Sequence, residues 1–154
     1  FPFYNTPVLI SEIGMTIISQ FSNVEPDSFD EELEFKKVLW WKNNWDDVCK
    51  LADEKGFEMI ISIQPIIGTG TKPLTNNETL ILNSNPLFIM EANYLSNYIS
   101  EMYNLEHCMY TFDLTNSFDN VSEAIYFDQG HMSDNGNLII AKKFTEILYP
   151  LLVN

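Results

Sequence analysis

Hydrophobic positions along the chain fall into blocks of two periods. Phe35, Val38, Trp41, Trp45, Val48 and Ala52 recur at intervals of three and four, which predicts an amphipathic helix from about 34 to 55, ended by Gly56. The mainly apolar run Phe57 to Gln64, stopped by Pro65, suits a buried strand of a parallel sheet. Residues 66 to 85 carry Gly68-Thr69-Gly70, Pro73 and Asn76-Asn77 and read as a long loop. Asn85-Pro86 opens a second helix, 86 to 103, whose Leu87, Met90, Tyr94, Leu95, Tyr98 and Met102 share a face. A β-rich run, 108 to 114, comes next. Ser133 is then placed to cap a closing helix, 135 to 149, with Leu138, Ala141, Phe144, Leu148, Leu151 and Leu152 on its apolar side.

Strand, helix and strand in that order imply a right-handed crossover, so the runs 57 to 64 and 108 to 114 are expected to be parallel neighbours. Ligands of such sheets bind beyond the carboxyl ends of the strands. The 66–85 and 115–131 segments both leave from that edge, and the second contains Asp128-Gln-Gly-His131. An Asp three residues before a His can accept the Nδ1 proton and leave Nε2 free to take a proton from a nucleophile. Capping and solvation of a turn is the plainer reading of the same two residues.

Asp128 and His131 are followed by Ser133, Gly136, Asn137 and Ala141. In that order they resemble the last motif of the SGNH (GDSL-type) hydrolases, a family of esterases, lipases, thioesterases and carbohydrate deacetylases. Upstream, Phe35 to Lys55 is similar to the family's penultimate helix, Gly56 to Pro65 to the strand after it, and Met109 to Leu114 to its last strand. The resemblance implies a three-layer α/β/α fold with a parallel, flavodoxin-like sheet. It also implies ester hydrolysis by serine acyl transfer, with His131 as base and Asp128 as its orienting carboxylate. No cofactor and no metal are implied.

Two of the family's motifs are missing. Neither Gly-Asp-Ser, which carries the nucleophile, nor Gly-x-Asn-Asp, which carries the oxyanion Asn, occurs in the chain. The expectation is therefore a single domain over 1–154 that forms the C-terminal portion of such a hydrolase, with the nucleophile in an upstream segment or partner chain. An unfinished sheet of that kind would expose an apolar strand edge. Ser11, after Pro7-Val-Leu-Ile10 and near Gly14, is the one internal candidate nucleophile. It lacks the preceding Gly-Asp and reads more simply as a strand-end or helix residue.

With 154 residues, 45% of them hydrophobic, the chain can bury a core, and no apolar run approaches the roughly 18 residues of a membrane span. Eight basic residues, all Lys, face 22 acidic ones for a net charge of -14. Nucleic acid, anionic membranes and phosphorylated substrates are poorly matched to that balance. Gly68-Thr69-Gly70 lacks the Lys of a phosphate loop; we read it as a flexible site mouth, with Thr69, Thr71 and Thr75 solvating the turn. Cys49 and Cys108 read as core or near-core thiols, and His107 as structural. Asn77-Glu78-Thr79 and Asn120-Val121-Ser122 fit the glycosylation pattern, whose meaning depends on a compartment the sequence leaves open.

Three functions compete. An SGNH-like ester hydrolase acting on a small-molecule or carbohydrate ester is favoured. A non-catalytic SGNH-like binding or assembly module is the alternative, and a metal site of Asp128, His131 and Asp134 ranks last, because no second His or Cys lies at ligand spacing.

Overall fold

A computed structural model of the chain describes residues 30–153. The chain divides into two compact units, 1–34 and 35–154. Of the first, the described part is the helix start. Asp30 Oδ1 accepts the backbone N–H groups of Glu32 and Leu33 at 3.0 and 3.1 Å, and three acidic side chains in the first turn suit the positive end of the helix dipole. Ser11 lies outside the described residues.

From there the order is α1 (Glu31–Lys55), β1 (Ile60–Ile63), α2 (Asn76–Ser84), α3 (Pro86–Met102), β2 (Tyr110–Asp113) and α4 (Asp134–Leu152). The strands are parallel neighbours, with Ile60 opposite Tyr110 and Ile63 opposite Asp113, as the strand–helix–strand pattern predicts. Among the described residues the sheet has these two strands, so the class is α/β. Two of the helices depart from the sequence reading. The segment 66–85 is not a continuous loop, because α2 occupies its second half. The last helix does not stop before Pro150 but runs on to Leu152.

α2 forms because Thr75-Asn-Asn-Glu78 is a capping box: the Glu78 N–H reaches Thr75 Oγ1, and Glu78 Oε2 accepts the Thr75 N–H at 2.9 Å. α3 starts on Asn85, whose Oδ1 accepts the Leu87 N–H at 3.0 Å, with Pro86 as first helical residue. Ser133 caps α4 through the Gly136 N–H at 3.2 Å. Gly136 is needed there: a Cβ would lie 2.8 Å from Ile125 Cγ2 and 2.9 Å from Met132 Cβ, so only glycine lets α4 press its first turn onto Ile125 and Met132.

Two apolar clusters make the core. In the first, Ile61 and Ile63 of β1 meet Cys49, Met102 and Leu105, with Trp41, Trp45, Leu95 and Tyr98 half-buried around them. Trp41 and Tyr98 meet edge-on at 5.5 Å between ring centroids, which joins α1 to α3. A groove of about 450 Å³ runs along β1 between Trp41, Trp45, Leu95 and Tyr98 and reaches Ile66. The apolar stripe of α1 is only partly used: Val38 and Ala52 are buried, while Phe35 and Val48 are exposed. In the second cluster, Ile67, Phe118, Ile125 and Tyr126 pack under Ile139 and Ile140 of α4. No helix among the described residues is long and apolar enough to cross a membrane.

The cysteines are not free thiols. Cys49 of α1 and Cys108, just ahead of β2, form a disulfide across 59 residues of sequence. One turn earlier in α1, Asp46 reaches the same connection: its Oδ1 accepts the N–H groups of Glu106 and His107 at 2.8 and 3.0 Å, and its Oδ2 lies 3.0 Å from His107 Nδ1. Burial pushes the Asp46 carboxyl up, and these bonds more than reverse it, holding the pKa below its ordinary value. The covalent and polar clasps together fix the entry to β2. Reduction, or the Cys49→Ala/Cys108→Ala pair, should cost ~4 kcal/mol from loop-closure entropy over that separation. Urea unfolding with and without reductant measures it, and a loss under about 1 kcal/mol would show that the disulfide adds little to the polar clasp.

Candidate functional site

Beyond the carboxyl ends of β1 and β2 the chain builds one knitted loop system around a buried ion pair. Lys72 and Glu78 are both buried, the carboxylate completely, and Lys72 Nζ donates to Glu78 Oε2 at 2.9 Å and to the carbonyls of Pro73 and Glu123 at 3.2 and 3.0 Å. Glu78 Oε2 also takes the Thr75 hydroxyl at 2.9 Å, and its Oε1 accepts the N–H groups of Ile125 and Tyr126 at 2.8 and 3.2 Å. Every charge is thus answered, the condition under which a buried pair is tolerable. Burial acts most strongly and pushes the Glu78 pKa up, but the bonds from Ile125, Thr75, Lys72 and Tyr126 outweigh it and hold the carboxyl at about 2. The Tyr126 phenol moves the other way, pushed up by burial and then by the Glu78 charge.

The loop after β1 is tied to the loop after β2 at several further points. Ile67 N–H donates to the Gln129 carbonyl at 2.9 Å, and Thr71 N–H to Asp119 Oδ1 at 2.7 Å. Gly70 sits at φ 64°, and a Cβ there would come within 2.4 Å of Asp119 Oδ1 and 2.9 Å of the Thr115 carbonyl. The Gly68-Thr69-Gly70 segment is therefore a packed, hydrogen-bonded turn. Its Thr69 hydroxyl donates back to Ile66 O at 2.7 Å, and Thr75 caps α2. These threonines shape the loop from within it.

Asp128 and His131 occupy the tip of a short hairpin whose arms are joined by the Tyr126–Met132 bridge. Phe127 N–H donates to His131 O at 2.9 Å and Ser133 N–H to Ile125 O at 2.7 Å. Within the tip, Asp128 Oδ1 accepts the N–H groups of Gly130 and His131 at 2.9 and 2.8 Å, and Oδ2 lies 2.8 Å from His131 Nδ1. A carboxylate only accepts, so Nδ1 carries the proton and, in the neutral ring, Nε2 is left with its lone pair. The N–H of His131, that of Gly130 and the imidazole hold the Asp128 carboxyl at about 2. Both side chains are open to solvent, 86% exposed for His131 and 56% for Asp128. Gln129 Nε2 donates to Glu91 of α3, so the tip is also tethered to that helix.

The sequence-derived pair is thus within bonding distance, while Asp134 stands in the first turn of α4 and does not join it as a metal cluster. Among the described residues, the metal-type grouping that does come together is Asp46, Glu106 and His107, whose ligand atoms lie within 4.8 Å of one another; its Asp and His already serve the clasp onto β2. Sequence reasoning passed over Lys72 and Glu78. The Thr-x-x-Glu spacing 75–78 was the available signal, since it marks a capping box and hence a helix start. The Asp46–His107 contact spans 61 positions and leaves no local trace.

No protein-family model matches this chain, and no curated protein sequence and no solved structure matches it either.

The two acidic centres have separable signatures. Glu78→Gln should lower stability by about 3–5 kcal/mol near pH 7, because Lys72 is left buried without its counter-charge. The pH dependence follows from a depressed carboxyl pKa: the Glu78 contribution is full above its ordinary 4.5 and is lost as pH falls through about 2. Urea midpoints of the two proteins should therefore converge between pH 5 and pH 2; a gap that stays constant would contradict the assigned charge. At the hairpin tip, ¹⁵N spectra of neutral His131 should report the Nδ1–H tautomer, and Asp128→Asn should shift it towards Nε2–H. An unchanged tautomer would mean that the carboxylate does not orient the ring.

Proposed function

We propose that this chain carries the general-base half of an SGNH-like ester hydrolase acting on a small-molecule or carbohydrate ester. The observation that carries the reading is the 2.8 Å Asp128–His131 contact on a solvent-open imidazole beyond the carboxyl ends of parallel strands. His131 Nε2 takes the proton of an attacking serine hydroxyl, and the resulting imidazolium is stabilised by Asp128. The same proton then passes to the leaving alkoxide. The serine comes from outside this chain, in keeping with the lack of Gly-Asp-Ser, and so do the oxyanion donors. The α/β core belongs on this reading to a three-layer α/β/α, flavodoxin-like domain. The groove along β1 gives the apolar part of an ester a place to lie: it reaches Ile66, next in the chain to Ile67, whose N–H is held by Gln129 beside the hairpin tip.

A second reading has its own observation. Asp46 and His107 reproduce the same arrangement, one carboxylate oxygen on two successive N–H groups and the other on Nδ1, and there it serves to hold a chain connection. On this reading Asp128 and His131 only close a turn, and the protein is a non-catalytic SGNH-like binding or assembly module.

Turnover separates the two. In the full-length protein, assayed on short p-nitrophenyl esters and acetylated sugars, Asp128→Asn should lower kcat by on the order of 10⁴, and His131→Ala should abolish turnover. Asp46→Asn should lower stability but leave kcat unchanged. Equal turnover in wild type and His131→Ala removes His131 from the mechanism, and a wild type inactive on every ester favours the binding module.

A further inference from the structure

We infer that Asn120 is an N-glycosylation site, and that the chain matures in the oxidising secretory compartment where such glycans are added. Two independent observations meet in this inference. The first is the Cys49–Cys108 disulfide, which uses both cysteines of the chain and leaves no free thiol. Disulfides form and persist in oxidising compartments and are rare where glutathione and thioredoxin keep thiols reduced. The disulfide thus supplies the compartment on which the meaning of an Asn-x-Ser/Thr triplet depends.

The second observation is where the two triplets lie. Asn77-Glu78-Thr79 is inside the first turns of α2. Its middle residue is the buried carboxylate of the ion pair, and its Thr79 hydroxyl is turned back onto the Thr75 carbonyl at 2.9 Å. The acceptor peptide is therefore locked in the helix. Asn120-Val121-Ser122 instead leaves the turn that follows β2 and has no regular structure at Val121 and Ser122. Asn120 and Ser122 are both exposed, while Val121 is half-buried and its N–H donates to the Phe118 carbonyl at 2.9 Å. The triplet is a surface loop anchored at its centre, with the Asn and the Ser of the acceptor pattern both exposed.

The transfer balances with a lipid-linked oligosaccharide as donor. Asn120 Nδ2 forms a bond to the anomeric carbon, and the bond from that carbon to the lipid pyrophosphate oxygen breaks. The pyrophosphate leaves with the electron pair, and Nδ2 gives up one proton, which the solvent takes up. Nothing is oxidised or reduced in this step. The disulfide is formed separately by the thiol oxidants of the same compartment.

The test is peptide mapping of the full-length protein purified, without reductant, from the cells that naturally make it. Expected are a Cys49–Cys108 linked peptide and a glycan on the Asn120 peptide, removable by peptide N-glycosidase with conversion of that Asn to Asp. In the same cells, Asn120→Gln and Ser122→Ala should each remove one glycosidase-sensitive step of gel mobility from a protein that is still secreted and oxidised. An unmodified Asn120 in oxidised protein overturns the site, as does a glycan confined to Asn77. Reduced Cys49 and Cys108 in the isolated protein overturn the compartment.

Discussion

One buried carboxylate determines how the loops beyond the strand ends are arranged. Glu78 accepts the ammonium of Lys72, the hydroxyl and N–H of Thr75, and the N–H groups of Ile125 and Tyr126. It therefore joins the loop after β1, the start of α2 and the hairpin arm that leads to Asp128 and His131. A bare carboxylate in that position would cost several kcal/mol of desolvation; with its partners in place it is a geometric constraint that few alternative loop arrangements can satisfy. The apolar cluster of Ile67, Phe118, Ile125 and Tyr126 packs around the same loops, so the polar node sets the register and the hydrophobic contacts give it cohesion.

The same device, a carboxylate bound to two successive N–H groups and an imidazole, is used at two levels of exposure. Asp46 applies it beside the disulfide to hold the entry to β2, with His107 40% exposed. Asp128 applies it at a hairpin tip with the ring standing open. The first placement suits a structural clasp. The second leaves the ring open to solvent beyond the strand ends, which is what the proposed hydrolase reading relies on. An exposed Asp128 stabilises an imidazolium less strongly than a buried one, because water screens the pair. On the proposed reading, whatever brings the nucleophile must therefore also cover the tip.

Local signals in the sequence were enough for most elements. The three-and-four spacing from Phe35 to Ala52, the Asn85-Pro86 start, the Ser133 cap and the apolar runs around Ile61 and Phe112 give helices and parallel strands close to those found. Asp128 and His131 were legible for the same reason, since three residues separate them and one turn brings them together. What escaped the sequence was non-local or disguised. The Cys49–Cys108 bond and the Asp46–His107 contact join positions 59 and 61 residues apart. α2 hid because Gly, Pro and Asn before it suggested a loop, and because its decisive residue, Glu78, is an acid that faces inward. The partly exposed stripe of α1 shows the opposite case, in which a clear periodicity overstates burial at Phe35 and Val48.

The claim at the centre of this account is that His131 activates a serine. It is tested most directly by covalent labelling that does not depend on guessing the substrate. A fluorophosphonate reacts with a serine whose hydroxyl is activated by an adjacent base and is slow with ordinary hydroxyls. Treatment of the full-length protein followed by mass analysis should show one phosphonylated serine, with His131→Ala lowering the labelling rate by at least about a thousandfold. No adduct on the native protein, or equal labelling of His131→Ala, would contradict the account and leave Asp128 and His131 as the closure of a turn.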